Sequence, residues 1–256
     1  MIVEPVRAFA DNYIWMILDQ DQHHCAIVDP GDHRPVIAWL EQHDVTPVAI
    51  LITHHHGDHV GGVRELVKKY PGIDVYGPAL ENINGLTRKL GEGDVISVVD
   101  TRLTVMDVPG HTRGHIAYYG DGALFCGDTL FAAGCGRVFD GTFEQLCSSL
   151  KKIRDLPDDT LVYCAHEYTV DNLGFAKWVE PTNSDIIIRD DDDMRRQEQG
   201  IPTVPSRLGL EKKTNPFLRY DDPEVVAKVE EKAGHAMNSE CAVFSFLRQW
   251  KDSEYD

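Results

Sequence analysis

The stretch Thr53-His54-His55-His56-Gly57-Asp58-His59 constrains this chain more than any other, because it crowds four potential metal ligands into six positions. His54, His56, Asp58 and His59 offer imidazole nitrogen and carboxylate oxygen, donors that suit zinc, iron or manganese. So many donors side by side cannot all reach one small ion. His54 and His56 are separated by a single residue and can grip one metal together. Asp58 and His59 are adjacent, diverge, and more naturally serve a second metal close by. The segment therefore points to a two-metal site, and such sites are usually hydrolytic.

What precedes the motif says how it is mounted. Val48-Ala49-Ile50-Leu51-Ile52 is an unbroken apolar, β-branched run, the pattern of a strand buried on both faces in a sheet covered by helices. The ligands begin where that strand ends. Gly57, Gly61 and Gly62 are expected to turn the backbone tightly before a helix over 63–69. A His-rich surface loop or a tag would not follow a core strand in mid-chain, nor interleave Asp58 with glycines.

Two ions need further ligands, and three places downstream offer them. Val108-Pro109-Gly110-His111-Thr112-Arg113-Gly114-His115 follows a strand-like run over 102–108. Leu124-Phe125-Cys126-Gly127-Asp128-Thr129 ends a short apolar run with an acid. Leu161-Val162-Tyr163-Cys164-Ala165-His166-Glu167-Tyr168 places a His after another. The same device, buried strand then ligand, occurs four times, and in helix-covered sheets sites lie at strand ends.

With these four segments in this order, the chain resembles the metallo-β-lactamase superfamily, whose motif is H-x-H-x-D-H followed by a distant His, a bridging Asp and a last His. The resemblance implies an α/β fold, a four-layer αββα sandwich. Carried over by position, it implies that His54, His56 and His111 hold one metal, that Asp58, His59 and His166 hold the other, and that Asp128 bridges both. His55 occupies the variable position and is not expected to be a ligand. Asp29, which ends its own strand, is expected to orient a ligating His. Asp58 and Asp128 are the carboxylates expected at the centre of the chemistry. The cofactor expected is a pair of divalent ions, zinc first, with iron or manganese also suited.

Length and charge narrow the partners. A chain of 256 residues holds one large domain or a domain with an appendage. With 25 basic and 42 acidic residues the net charge is −17, which disfavours nucleic acid and anionic membrane surfaces. No apolar run has transmembrane length, and the start lacks signal-peptide character. The six cysteines show no C-x-x-C pairing and are expected to be reduced, in a cytoplasmic monomer. Cys135, in a Gly-rich loop, is the one thiol singled out.

Strands are expected over 2–9, 14–19, 25–28, 73–76, 95–99 and 117–119, and helices over 35–42 and 143–153. After about residue 170 valine-rich runs disappear. Helices are expected over 172–179, from caps at 182–185 through 199, over 223–233 and over 239–250, with an extended link over 201–206. The division expected is a metal-binding domain over 1–172 and a small all-α domain over 173–256, the latter without an obvious core of its own.

The tail discriminates among substrates. Pro202-Thr203-Val204-Pro205-Ser206 and Lys212-Lys213-Thr214-Asn215-Pro216-Phe217-Leu218-Arg219 resemble the tail of the glyoxalase II family, the hydroxyacylglutathione hydrolases, as do the runs 131–137 and 166–169. That resemblance spans nearly the whole chain. It implies hydrolysis of S-D-lactoylglutathione to D-lactate and glutathione, with a small-molecule thioester as the partner. Arg137, Tyr168, Arg219, Lys212 and Lys213 become the expected glutathione contacts, with Arg207 in the same segment. The family often has Lys and Tyr where this chain has Arg137 and Phe139, so one hydroxyl contact is lost. Two rivals stay open: an iron-dependent glutathione persulfide dioxygenase of the same superfamily, and a non-catalytic metal-binding module.

Overall fold

The computed structural model describes residues 1–255. Two six-stranded sheets and nine α-helices account for most of those residues. The first sheet has the order β1 (Ile2–Ala8), β2 (Asn12–Leu18), β3 (His24–Val28), β4 (Thr46–Leu51), β5 (Asp74–Pro78), β6 (Arg88–Leu90). Its first three strands pair antiparallel and the rest parallel. The second sheet begins with β7 (Val95–Val98), β8 (Thr101–Asp107), β9 (Ile116–Gly120) and β10 (Ala123–Gly127), all antiparallel neighbours. Its remaining strands are β13 (Leu161–Cys164) and β14 (Ser206–Arg207). Between β10 and β13 in sequence, β11 (Leu130–Phe131) and β12 (Gly134–Cys135) form a separate two-stranded hairpin. The α/β class expected from the sequence, two sheets with helices and then a helical C-terminal stretch, is the class observed, except that the stretch expected to be all-α also contributes the short strand β14.

By internal packing the chain divides into two compact units, Met1–Asp107 with Arg113–Gly127, and Val108–Thr112 with Asp128–Asp256. In the first unit every residue of β2 is buried, as a central strand covered on both faces requires. Helices α1 (His33–His43) and α3 (Val63–Lys69) pack Val36, Leu40, Val63 and Leu66 into one apolar cluster with Met16, Ile27, Ile50 and Val75 of the first sheet. From the second sheet, the fully buried Tyr118 on β9 donates its hydroxyl to the Ile52 carbonyl at the end of β4, 2.8 Å away.

The expected tight turn at Gly57 is instead the start of a short helix, α2 (Gly57–Val60), which carries Asp58 and His59 in its single turn. Gly31 has a different task. A Cβ there would lie 1.7 Å from the Asp58 carbonyl oxygen, so only glycine lets the Pro30-Gly31 turn pass the ligand loop.

The second unit contains α4 (Phe143–Arg154), α5 (Thr169–Val179), α6 (Ser184–Glu198), α7 (Leu208–Thr214), α8 (Pro223–Ala233) and α9 (Glu240–Trp250). Helix α4 opens with a capping box between Thr142 and Gln145, and Ser239 caps α9. Helix α7 was missed in the sequence, because 208–214 carries too few apolar positions to show a period.

The expectation that the tail lacks its own core is corrected. Phe175 lies 5.9 Å from Phe217 and 5.4 Å from Trp250, and Phe217 lies 6.0 Å from Phe244, with Leu247 and Val229 buried as well. Aromatic rings bury so much area each that a few, scattered over several helices, replace a dense aliphatic stripe. The expectation of six reduced cysteines is also corrected. Cys147 on α4 is disulfide-bonded to Cys241 on α9, while Cys25, Cys126, Cys135 and Cys164 are free and buried. Burial pushes the Cys135 thiol up to about 11, so it stays protonated and is no nucleophile at neutral pH.

Candidate metal centre

The first unit brings four of the predicted donors to the end of β4. Their supports begin with Asp29, whose backbone sits in the left-handed region at φ 51, a conformation costly for an aspartate and maintained only by its surroundings. Its carboxylate accepts the Thr53 N–H at 2.8 Å, the Thr53 hydroxyl at 2.7 Å and His59 Nδ1–H at 3.0 Å. Because the Thr53 hydroxyl donates to Asp29, its oxygen accepts from His54 Nδ1, 3.1 Å away. Both imidazoles are fully buried. With the proton held on Nδ1, each presents the Nε2 lone pair, the form a metal requires.

Asp58 is oriented by Asn12, whose side-chain amide donates to Oδ2 at 3.0 Å, and the same oxygen lies 3.4 Å from His59 Nε2. Thr53 and Asn12 were missed in the sequence. A single Thr or Asn carries no local signal, although the position of Thr53 next to the first ligand was there to be weighed. His115 stacks on His54 at 4.6 Å and is fully buried, so the second His of the 111–115 run packs against a donor. His55, set aside as a ligand, points its Nδ1 at Glu81 instead, at 2.9 Å.

The second unit holds His111, Asp128 and His166, all nearly buried. His111 donates Nδ1–H to the Arg137 carbonyl at 2.8 Å, again freeing Nε2. Asp128 faces the two imidazoles with a different oxygen each, Oδ2 at 3.5 Å from His111 Nε2 and Oδ1 at 3.5 Å from His166 Nε2. Gly136 is obligatory here, since a Cβ would come within 2.0 Å of the Asp128 carbonyl oxygen and 3.0 Å of His111 Nδ1. The His166 ring stacks on Tyr168 at 4.8 Å with only 7° between planes, and Phe131 meets both edge-on.

Within the first unit, donor atoms of His54 and His56, of His54 and His59, and of Asp58 and His59 lie within 4.8 Å of each other. Two donors of one tetrahedral zinc, each about 2.0–2.1 Å from it, are themselves roughly 3.3–3.5 Å apart. The carboxylate-to-imidazole spacings of 3.4 and 3.5 Å match that figure. The donor set and the Nδ1 supports thus fit divalent ions.

The expected glutathione contacts fare differently. Tyr168 lies against His166, as described. Phe139 sits edge-on to His111 at 5.2 Å and is 65% exposed. Arg137 supports His111 with its carbonyl, while its exposed guanidinium lies 3.6 Å from Asp252. Lys213 and Arg207 are exposed. Lys212 donates to the Leu156 carbonyl and to Asp158.

Arg219 forks onto Glu180 at 2.8 and 2.9 Å and onto Asp222 at 2.8 Å, which engages the Nε and Nη2 edge of its guanidinium. Beside the expected contact with a remote carboxylate of the substrate, Arg219 therefore has a structural task. Replacing Arg219 with Ala takes its cation from the Glu180 carboxylate, whose side chain is 1% exposed and which keeps the Asn183 amide as a donor. We expect a loss of about 3 kcal/mol in a urea unfolding titration, with KM little altered. A raised KM at unaltered stability would return Arg219 to the substrate site.

Two family models match successive parts of the chain. The model of the metallo-beta-lactamase superfamily matches residues 11–83 and 72–166, and that of the hydroxyacylglutathione hydrolase C-terminus matches 167–254. The hydroxyacylglutathione hydrolase of Nitrosomonas eutropha is 50% identical over 253 residues, covering 98% of both chains. The chain belongs to the hydroxyacylglutathione hydrolase family. Its counterpart in Vibrio cholerae is 51% identical over 250 residues, again covering 98% of both chains.

Among solved structures, ETHE1 from Myxococcus xanthus superimposes with a TM-score of 0.70 at 22% identity, covering all of this chain and 93% of that one. TTHA1623, crystallised in a di-iron-bound form, superimposes with a TM-score of 0.61 at 26% identity, covering 84% of this chain and all of that one. The first likeness establishes the fold alone, the metallo-β-lactamase fold that this hydroxyacylglutathione hydrolase family member shares.

Proposed function

We propose that the protein is a metal-dependent thioester hydrolase that converts S-D-lactoylglutathione and related 2-hydroxyacylglutathiones, with water, to the hydroxy acid and glutathione. The observation that carries this reading is full-length identity of about half to hydroxyacylglutathione hydrolases, in a chain with all seven expected donors. His54, His56 and His111 would hold one ion, Asp58, His59 and His166 the other, and Asp128 both. Zinc is the ion we favour for an imidazole and carboxylate set. The di-iron form of TTHA1623 supports iron as an alternative, and manganese suits the same donors.

When bound, such a pair supplies a hydroxide nucleophile at neutral pH and stabilises negative charge developing on the thioester oxygen. The chain's own residues do the rest. Asn12 holds the Asp58 carboxylate so that its second oxygen can accept a hydrogen bond from the attacking water. Asp29 and Thr53 keep the imidazole protons on Nδ1 throughout. Phe131 flanks the edges of the His166–Tyr168 stack and limits water there. The leaving thiol has a pKa of roughly 8.5, so it departs as thiolate without a dedicated acid.

We place the glutathione moiety against Tyr168, Arg137 and Phe139, with Lys213 and Arg207 as further cations, and assign Lys212 and Arg219 to the scaffold. A catalytic domain over 1–172 and a glutathione-binding helical domain over 173–256 is supported by the C-terminal family match starting at 167. We further propose a monomer in the cytoplasm, where glutathione is kept reduced. No helix among the described residues is long and apolar enough to cross a membrane.

Purified protein loaded with zinc is expected to cleave S-D-lactoylglutathione, and a chelator to abolish that cleavage. Absence of turnover at two metals per chain would reject the proposal, and oxygen uptake with glutathione persulfide would install the dioxygenase in its place.

A further inference from the structure

The hairpin β11–β12 follows Asp128 directly, and its Phe131 packs on His166. Two paired residues per strand do not hold a hairpin in place. Its outward backbone groups are instead taken, one after another, by buried side chains from the helices. Asn215 donates to the carbonyls of Phe131 and Gly134, at 3.2 and 2.9 Å. Asn172 donates to that of Ala132, at 3.0 Å. Arg248 donates to that of Cys135, at 2.9 Å. The Ala133 N–H donates to Glu211 Oε2, at 2.7 Å. These four side chains are at most 3% exposed.

Glu211 is the hub. Its Oε2 also accepts from Asn215, at 3.2 Å, and its Oε1 accepts from Arg189 Nη2, at 2.6 Å. Arg189 is in turn fixed by Thr214 and Asp193. A buried ion pair contributes little net stability, and apolar residues of similar volume often serve as well or better. What a carboxylate provides and an apolar group does not is two directional acceptors.

The site that receives one of them is unusual. Ala133 lies in the left-handed region at φ 55, and its side chain is packed with Leu173, Ala176 and Ile186. At the other end of the hairpin, the Gly136 N–H returns to the Thr129 carbonyl, one residue past Asp128, at 3.3 Å.

We propose that Glu211, held in place by Arg189, is a positioning residue that acts through the Phe131–Cys135 hairpin to set the metal donors Asp128 and His166. This rests on the reading of those residues as ligands. Glu211→Gln keeps the volume but turns one acceptor into a donor, so that either Ala133 N–H or Arg189 faces an N–H.

The test is zinc binding to metal-free protein in competition with a chromophoric chelator, together with kcat, KM and thermal unfolding. The wild type is expected to bind two zinc ions. Glu211→Gln is expected to weaken the site that includes His166 by tenfold or more, as losing support of a ligand does. It should lower kcat by a comparable factor and leave KM for S-D-lactoylglutathione within about twofold.

A lowered melting temperature with both zinc affinities and kcat unchanged would make the network merely structural and overturn the proposal. If Glu211→Gln does not fold, Asn172→Ala, which removes the hydrogen bond to the Ala132 carbonyl and the packing on Gly134 and leaves Glu211 and Arg189 in place, decides by the same readouts. A wild type that binds no zinc would remove the metal centre itself and this proposal with it. Two tight sites in wild type and variant alike would remove the positioning role alone.

Discussion

Asp128→Ala is expected to lower turnover at least ~10³-fold and to leave fewer than two metal ions per chain. The size follows from the geometry. Asp128 offers one oxygen toward His111 Nε2 and the other toward His166 Nε2, each at 3.5 Å, and is 7% exposed. No neighbouring acid in that unit takes its place among the donor sets. If Asp128 bridges two divalent ions as proposed, removing it would take one negative charge from between them, and the remaining ligands alone would have to offset their repulsion.

The fold is expected to survive, because the backbone around Asp128 is tied down by other groups, including Gly136 N–H to the Thr129 carbonyl. Asp128→Asn separates charge from shape and should fall between the wild type and the Ala variant. Elemental analysis, steady-state rates and circular dichroism on the same preparations give the answer. Two ions per chain at the wild-type rate in Asp128→Ala would contradict the bridging position.

The second large effect concerns stability. Cys147 and Cys241 are 94 residues apart and join α4 to α9. Closing a loop of that length removes enough freedom from the unfolded chain to contribute about 4–5 kcal/mol in the chain-entropy model. Cys241→Ser, or a reductant added to the wild type, is therefore expected to lower the melting temperature by roughly 10 °C. Neither cysteine is among the donors, so kcat at 25 °C should not change. Superimposable melting curves with and without reductant would show that the bond contributes nothing. Alkylation of thiols at the moment of cell lysis, read by mass spectrometry, would show whether the pair is oxidised in the cell. A fully oxidised pair would weigh against a cytoplasmic location.

Legibility from sequence varied with how local the signal was. The strand over 48–52 and the four donors after it could be read because a buried strand and a cluster of ligands announce themselves within a dozen residues. The later donors could be read because each repeats the same placement at the end of a strand. Asp29 could be read for the same reason, and its carboxylate does reach His59.

Arg219 shows the limit. Its type and its motif suit a carboxylate, but sequence does not say whose, and the structure supplies Glu180 and Asp222 from the protein itself. The disulfide shows it again, since pairing among six cysteines has many solutions and only the approach of α4 to α9 selects one.

By itself the sequence determined which atoms are available for chemistry and the strands that deliver them, because donor type and hydrophobic period are properties of short segments. Only the tertiary structure decided what supports those donors: Asn12 on Asp58, Thr53 on His54, and Glu211 with Arg189 behind the hairpin. The physical reason is that hydrogen-bond direction depends on distances between residues tens of positions apart. Those distances exist only once the chain has folded.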